Sequence, residues 1–115
     1  MAFNELLAER VRAILLAKVD IKELKMFGGL CFMLNGHMGC GIMGERLMVR
    51  VGPEFYDEAL EKAHVSAMDF TGRPMVGMIY IEAEGLKTAK QLSSWLDLVL
   101  KFIATLPPKS PRKKL

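Results

Sequence analysis

The sequence predicts a single α+β domain in which an antiparallel sheet packs against helices in two layers. Three observations carry this prediction: a glycine-rich stretch that alternates like three consecutive strands, an amphipathic helical segment before it, and another at the end of the chain. The 115 residues are enough for one domain with its own core, and 51% hydrophobic with 25% charged residues is typical of globular proteins. The predicted element order is α-β-β-β-α-β-α.

The first helix is predicted over residues 3–18, where apolar side chains recur at helical spacing and Glu5, Glu9 and Arg12 fall on the opposite side. Asn4 is suited to cap its start. The predicted buried stripe is Phe3, Leu6, Leu7, Val11, Ile14 and Leu15. Residues 21–25 are expected to form a connector or a short turn before the first strand.

Two turns are predicted to fix the register of the following meander. Asn35-Gly36 suits a type I′ hairpin turn, which sets Phe32 opposite Gly39 and Cys31 opposite Cys40. Gly44-Glu45 suits a type II′ turn, which sets Cys40 opposite Val49. The two registers agree, and they predict a core face with Cys31, Met33, Met38, Cys40, Ile42, Leu47, Val49 and Val51. They place on the other face Leu30, Phe32, Leu34, His37, Gly39, Gly41, Met43, Met48 and Arg50.

The second half of the chain is predicted to add a helix, a strand and a helix. Gly52-Pro53 is expected to start the second helix, because proline suits the first helical position. The fourth strand is predicted over 75–82, and residues 65–70 are compatible with a short fifth strand. A Thr-x-x-Gln capping box at Thr88 predicts the last helix. Its expected buried stripe is Leu92, Trp95, Leu96, Val99, Phe102, Ile103 and Leu106.

The charge is concentrated at the C-terminus. The whole chain carries +3 and the nine residues from Pro107 carry +4, so the remainder is about −1. We therefore predict a domain over residues 1–108 and a basic disordered tail over 109–115. The sequence shows no export signal and no apolar run long enough for a membrane span, which predicts a cytoplasmic protein with reduced cysteines.

Several short motifs, taken in order, point to a family. They are Met26–Gly29 (MFGG), Phe32–Gly36 (FMLNG), Leu47–Val51 (LMVRV), Phe70–Met75 (FTGRPM) and Trp95. Their order and spacing resemble the TfoX N-terminal domain over nearly the whole chain. The resemblance implies a small domain with an antiparallel sheet packed on helices, similar to the secretion-chaperone-like arrangement. It also implies a role related to transcription regulation, since the best-known members regulate natural competence, carry an additional C-terminal domain, and act with a cyclic-AMP receptor protein.

The candidate chemistry is weak, and we expect no enzyme, no cofactor and no metal. The run Gly39–Gly44 matches the dinucleotide motif G-x-G-x-x-G, but a strand rather than a helix is predicted to follow it. Cys31 and Cys40 are predicted side by side on the core face and His37 on the opposite face, so the two thiols lack a third convergent ligand for zinc. His64 has no nucleophile at a suitable spacing and is expected at the surface. Arg50 and Arg73 are the alternative, as anion ligands of a small-molecule site, although Arg50 is equally suited to pair with Glu82 or Tyr80.

The predicted function is a regulatory or protein-interaction domain that forms a homodimer through the second sheet face. The predicted interface is Phe32, Met48, Arg50, Val76, Met78 and Tyr80, with Leu30 and His37 beside it, because an exposed apolar patch of this kind usually marks an interface. The alternative is that the last helix or a loop covers this face. A second alternative is weak nucleic-acid binding through the tail cations Lys109, Arg112, Lys113 and Lys114.

Overall fold

The computed structural model describes residues 4–26, 28–70 and 73–106. Three α-helices and six strands are found in these ranges. The helices are α1 (Glu5–Leu16), α2 (Tyr56–Leu60) and α3 (Ala89–Ile103), and a 3-10 turn (Ala83–Leu86) precedes α3. The strands are β1 (Ile21–Met26), β2 (Gly29–Leu34), β3 (His37–Met43), β4 (Arg46–Arg50), β5 (Val65–Phe70) and β6 (Arg73–Ile81).

The six strands form one antiparallel sheet in the order β1-β2-β3-β4-β6-β5. The α+β class and the antiparallel sheet packed against helices are therefore confirmed, and β5 corresponds to the short strand expected over 65–70. Both predicted turns are present. Asn35 and Gly36 both have positive φ, as type I′ requires. At the next turn Gly44 has a φ of +64° and Glu45 has a negative φ, which is the type II′ pattern.

The prediction of a connector over residues 21–25 is wrong, because these residues form the edge strand β1. It pairs with β2 along its whole length, from Ile21 opposite Leu34 to Met26 opposite Gly29. Lysine and glutamate are depleted in strands, so the sequence IKELKM shows little local strand preference. The hydrogen bonds with β2 stabilise the strand despite this weak local preference. The exposed lysines of this edge strand discourage pairing with other chains.

The predicted register between β2 and β3 holds only next to the turn. Leu34 lies opposite His37 and Met33 opposite Met38, but the ladder then shifts, so Phe32 lies opposite Cys40 and Cys31 opposite Gly41. Gly39 is the extra residue of this β-bulge, and a side chain there would collide with Leu34. The register between β3 and β4 is as predicted, with Cys40 opposite Val49.

The bulge changes which residues share a face, because side chains alternate along a strand. Phe32, Leu30 and Leu34 belong to the main core with Cys40, while Cys31 joins a second, smaller cluster on the opposite face. The prediction of Cys31 beside Cys40 on the core face is therefore wrong, and so is the placement of Phe32 on the second face. Met38, expected in the core, packs against the second cluster instead.

All three helices contribute to the main core, so we call this side of the sheet the helix face. In α1 the buried residues are Leu7, Ala8, Val11 and Leu15. Leu6, predicted to be buried, is 69% exposed. The Asn4 cap is confirmed: its side chain accepts a hydrogen bond from the Leu7 amide at 2.9 Å.

The α3 prediction is largely confirmed. Its capping box is complete, since Thr88 Oγ1 accepts from the Gln91 amide and Gln91 Oε1 accepts from the Thr88 amide, both at 3.0 Å. The buried stripe is Leu92, Trp95, Leu96, Val99 and Ile103, while Phe102 and Leu106 are half-buried. Helix α2 begins at Tyr56, later than predicted, because Pro53 to Phe55 form a turn. No helix in the described ranges is long and apolar enough to cross a membrane.

Candidate functional site

The side of the sheet opposite the helices is lined largely by methionines. Strand alternation places Met48 of β4 beside Met78 and Tyr80 of β6, with Cys31 of β2 in the same cluster. Met38 and Met43 of β3 pack against them and are half-buried. We call these six residues the methionine face. Within the part of the chain that the structure describes, this cluster contains strand residues and no helix residue.

The centre of the methionine face is closed and its ends are open. Cys31, Met48, Met78 and Tyr80 are each at most 8% exposed. At the end of β6 nearest Arg50, Val76 is 64% exposed, and at the β1 edge Leu24 is 39% exposed on the same side. Five of the six predicted interface residues are thus at the methionine face or its border: Met48, Arg50, Val76, Met78 and Tyr80.

Two arginines border this face, and each contacts neighbouring groups of the sheet. The guanidinium carbon of Arg46 lies 3.9 Å from the centre of the Tyr80 ring, and Arg46 Nη1 lies 4.0 Å from Glu82 Oε2. Arg50 Nη1 donates to the Met38 carbonyl at 3.3 Å. The expectation that Arg50 pairs with Glu82 or Tyr80 is therefore wrong. Arg46, four residues earlier in β4 and on the same face, makes both contacts because it lies nearer to Glu82.

Each arginine stands over a shallow cleft. The cleft at the Arg50 end has a volume of about 400 Å³ and includes Met38, Val76 and Phe102. The cleft at the Arg46 end has about 450 Å³ and includes Glu45 and Glu82. One end of the face is therefore bordered by a cation and the other by a cation with two carboxylates.

Phe32 is the predicted interface residue that the structure moves elsewhere. Its side chain is 0% exposed within the main core on the helix face. The prediction assumed an unbroken ladder from the Asn35-Gly36 turn. The bulge at Gly39 shifts the register by one residue, so Phe32 shares a face with Cys40 and not with Gly39 as predicted. Leu30 follows Phe32 to the helix face for the same reason.

The glycines of the G-x-G-x-x-G motif serve packing in the sheet. Gly39, Gly41 and Gly44 lie in β3 and the turn after it, and strand β4 follows directly. A Cβ at Gly41 would lie 2.9 Å from the Leu30 carbonyl oxygen and 3.2 Å from Met48 Cε. The motif therefore does not open a helix, which pyrophosphate binding needs.

The two cysteines lie on opposite faces of the sheet and are both free and buried. Burial raises the pKa of the Cys40 thiol far above its ordinary range, and burial likewise raises the pKa of Cys31. Both are therefore neutral thiols near pH 7 rather than nucleophilic thiolates. Among the described residues no group of three His, Cys, Asp or Glu side chains is arranged to hold a metal.

Of the remaining candidate residues, His64 is the one whose side chain lies within the described part of the chain. His64 is exposed at the start of β5, with a left-handed backbone (φ +66), and its carbonyl accepts from the Glu82 amide at 2.8 Å. The side chain of Arg73 and the tail cations Lys109, Arg112, Lys113 and Lys114 lie outside what the structure describes. Small-ligand binding at Arg73 and nucleic-acid contact through the tail stay predictions.

A second site, on the helix side of the molecule, was not predicted. A groove of about 630 Å³ runs along α3 and is bordered by Phe55 and Lys62 from the chain around α2. The signal in the sequence is Lys90, Ser94, Leu98 and Lys101, which are three or four residues apart and therefore share one side of α3. The prediction for α3 considered only its buried residues and therefore did not include this neighbouring, partly polar side of the helix.

The fold and these two surfaces define a small α+β domain with an antiparallel sheet and helices on one face. The chain belongs to the TfoX N-terminal domain family, whose model matches residues 14–103. The resemblance of the sequence motifs to this family is thus confirmed over most of the chain. Comparison with curated proteins and with solved structures found no match.

Proposed function

We propose that this protein is a non-enzymatic regulatory domain of the cytoplasm that acts through protein contacts and forms a homodimer through its methionine face. Membership of the TfoX N-terminal domain family supports a domain like those of competence regulators. The free, buried and protonated cysteines are in keeping with a reducing compartment and with the absence of cysteine catalysis.

The observation that carries the dimer proposal is the composition of the methionine face. Four methionines line it, and methionine side chains adapt readily to an apolar partner surface. Val76 exposes 64% of its surface at one end. A second copy would cover the apolar side chains that are exposed at the ends of the face.

The charges at the border favour a second copy as the partner. The Arg50 end of the face is bordered by one cation, and the Arg46 end carries one cation, Arg46, and two carboxylates, Glu45 and Glu82. A two-fold axis that sets the two β4 strands antiparallel brings the Arg50 end of one copy against the Glu45 and Glu82 end of the other. The net positive end of each copy then lies against the net negative end of the other, which is the charge complementarity that favours specific association.

Size-exclusion chromatography with light scattering tests the dimer. Val76→Glu places a charge at the most exposed apolar position of the face and is expected to convert the dimer to a monomer. Leu6→Glu is the matched control, because Leu6 is 69% exposed on α1 and is expected to leave the dimer intact. A wild-type protein that runs as a monomer at 100 µM, a concentration chosen to populate weak dimers, would overturn the dimer proposal.

A charge swap tests the orientation of the two copies. Arg50→Glu is expected to weaken the dimer, since it sets a carboxylate against Glu82 of the other copy. Adding Glu82→Arg in the same chain is expected to restore association. If the double variant is no more dimeric than Arg50→Glu, the antiparallel arrangement is incorrect even where the dimer itself exists.

A further inference from the structure

The groove along α3 combines an apolar floor with positively charged walls. Phe55, Trp95 and Leu98 supply the apolar surface; Trp95 is 8% exposed, and the other two are half-buried. Lys62, Lys90 and Lys101 are exposed around it. The groove lies on the helix side of the sheet, away from the methionine face, so it does not depend on the proposed dimer.

The groove carries more positive than negative charge, with three lysines and one aspartate among its described lining residues. Among the described residues that line it, Asp97 is the one acid. Asp97 Oδ1 accepts a hydrogen bond from Lys18 Nζ at 3.0 Å, and Lys18 itself belongs to the chain after α1. This ion pair balances the carboxylate, so the three lysines of the groove are left to attract an anionic ligand.

The length of the groove indicates the kind of ligand. Lys90 and Lys101 are eleven positions apart on one helix, which corresponds to about 16 Å at 1.5 Å per residue. Lys62, from the chain after α2, also lines the groove. Cations spread over such a distance around an open apolar floor suit a rod with spaced negative charges better than a compact anion. An amphipathic helix of about eleven residues has this length and places its apolar and acidic side chains on separate sides.

We propose that the groove along α3 binds an acidic amphipathic helix of a partner protein. The apolar side of that helix covers Phe55, Trp95 and Leu98. Its carboxylates lie against Lys90 and Lys101 of α3 and against Lys62 of the chain after α2. The lysines contribute mainly to the rate of association and to the choice of an acidic over a basic partner, since their side chains are exposed.

Trp95 provides a direct measurement, because it is the single tryptophan of the chain. The probe is a synthetic twelve-residue peptide without tryptophan, with leucines on one helical side and glutamates on the other. Its titration into the full chain is expected to change Trp95 emission to saturation, with affinity that falls as salt is raised. The same peptide with lysine in place of each glutamate is expected to produce no saturable change.

The variant Lys90→Glu/Lys101→Glu is expected to weaken peptide binding about tenfold, because two favourable exposed pairs become repulsive. Lys22→Glu/Lys25→Glu is the matched control: it makes the same charge change at exposed positions of β1 and is expected to bind as the wild type does. Circular dichroism checks that both variants are folded. Retained binding in the groove variant, an equal response to the basic peptide, or tighter binding of the compact anion naphthalene disulfonate would each overturn the proposal.

Discussion

Replacement of Phe32 by alanine tests the β-bulge on which the assignment of the two sheet faces depends. In the structure Phe32 lies opposite Cys40 and is 0% exposed in the main core. In an unbroken ladder it would lie on the methionine face instead. The two arrangements predict different consequences for the same substitution: loss of stability in the first, loss of self-association in the second.

The expected loss is large because the side chain is completely buried and the surrounding sheet and helices cannot fill its volume. Phe→Ala substitutions at such sites lower the free energy of unfolding by about 3–5 kcal/mol. Domains of this size have total stabilities of about 5–15 kcal/mol, so the variant is expected to fold with little margin. With a urea slope of about 1.5 kcal/mol per M, the unfolding midpoint falls by about 2–3 M.

Urea unfolding followed by Trp95 fluorescence measures this loss, at a protein concentration low enough for the monomer to predominate, so that a changed dimer affinity does not enter the comparison. Val76→Ala is the control on the methionine face and is expected to change the free energy of unfolding by no more than about 0.5 kcal/mol, since Val76 is 64% exposed. A Phe32→Ala protein that loses less than about 1 kcal/mol, and that fails to self-associate, would refute the bulged register.

Three further predictions concern an ion pair, the thiols and a helix cap. The Arg12 guanidinium donates to Glu23, with Nη2 to Oε1 at 2.7 Å, and lowers the pKa of that carboxyl. Both side chains are about a third exposed (35% and 29%), so Glu23→Gln is expected to lower the free energy of unfolding by less than about 1 kcal/mol at pH 7. That contribution is present above the unfolded pKa of about 4.3 and is lost as the pH falls through the lowered folded value, so a difference between the two proteins that grows on acidification would contradict it. Cys31 and Cys40 are expected to react with iodoacetamide at pH 8 far more slowly in the folded protein than in urea, because burial raises the pKa of both thiols; mass spectrometry showing rapid double alkylation of the native chain would show otherwise. Thr88→Ala removes the α3 cap and is expected to lower the free energy of unfolding by about 1 kcal/mol, with an unchanged urea midpoint as the contrary result.

Local features of the fold were predictable because their stabilising contacts lie within a few residues. The Asn35-Gly36 turn needs two adjacent residues that tolerate positive φ, and the Thr88 capping box is closed by residues three apart. The buried stripe of α3 follows from helical periodicity alone. The family was also predictable, since its motifs depend on order and spacing along the chain.

Both candidate sites depended on contacts that the local sequence does not contain. The self-association surface was predicted with Phe32 in it. The bulge at Gly39, where a side chain would collide with Leu34 of the paired strand β2, places Phe32 on the opposite face. The groove along α3 was missed because it also needs Phe55 and Lys62 from a distant part of the chain.

The sequence by itself therefore determined the class of the domain, its family, two tight turns and the long C-terminal helix. Tertiary structure alone decided that residues 21–26 form an edge strand and which side chains each face of the sheet presents. The physical reason is the range of the interactions. Turns and caps are stabilised by residues that are neighbours along the chain. A strand and a one-residue bulge depend instead on hydrogen bonds and packing with a partner strand, which only the folded chain brings together.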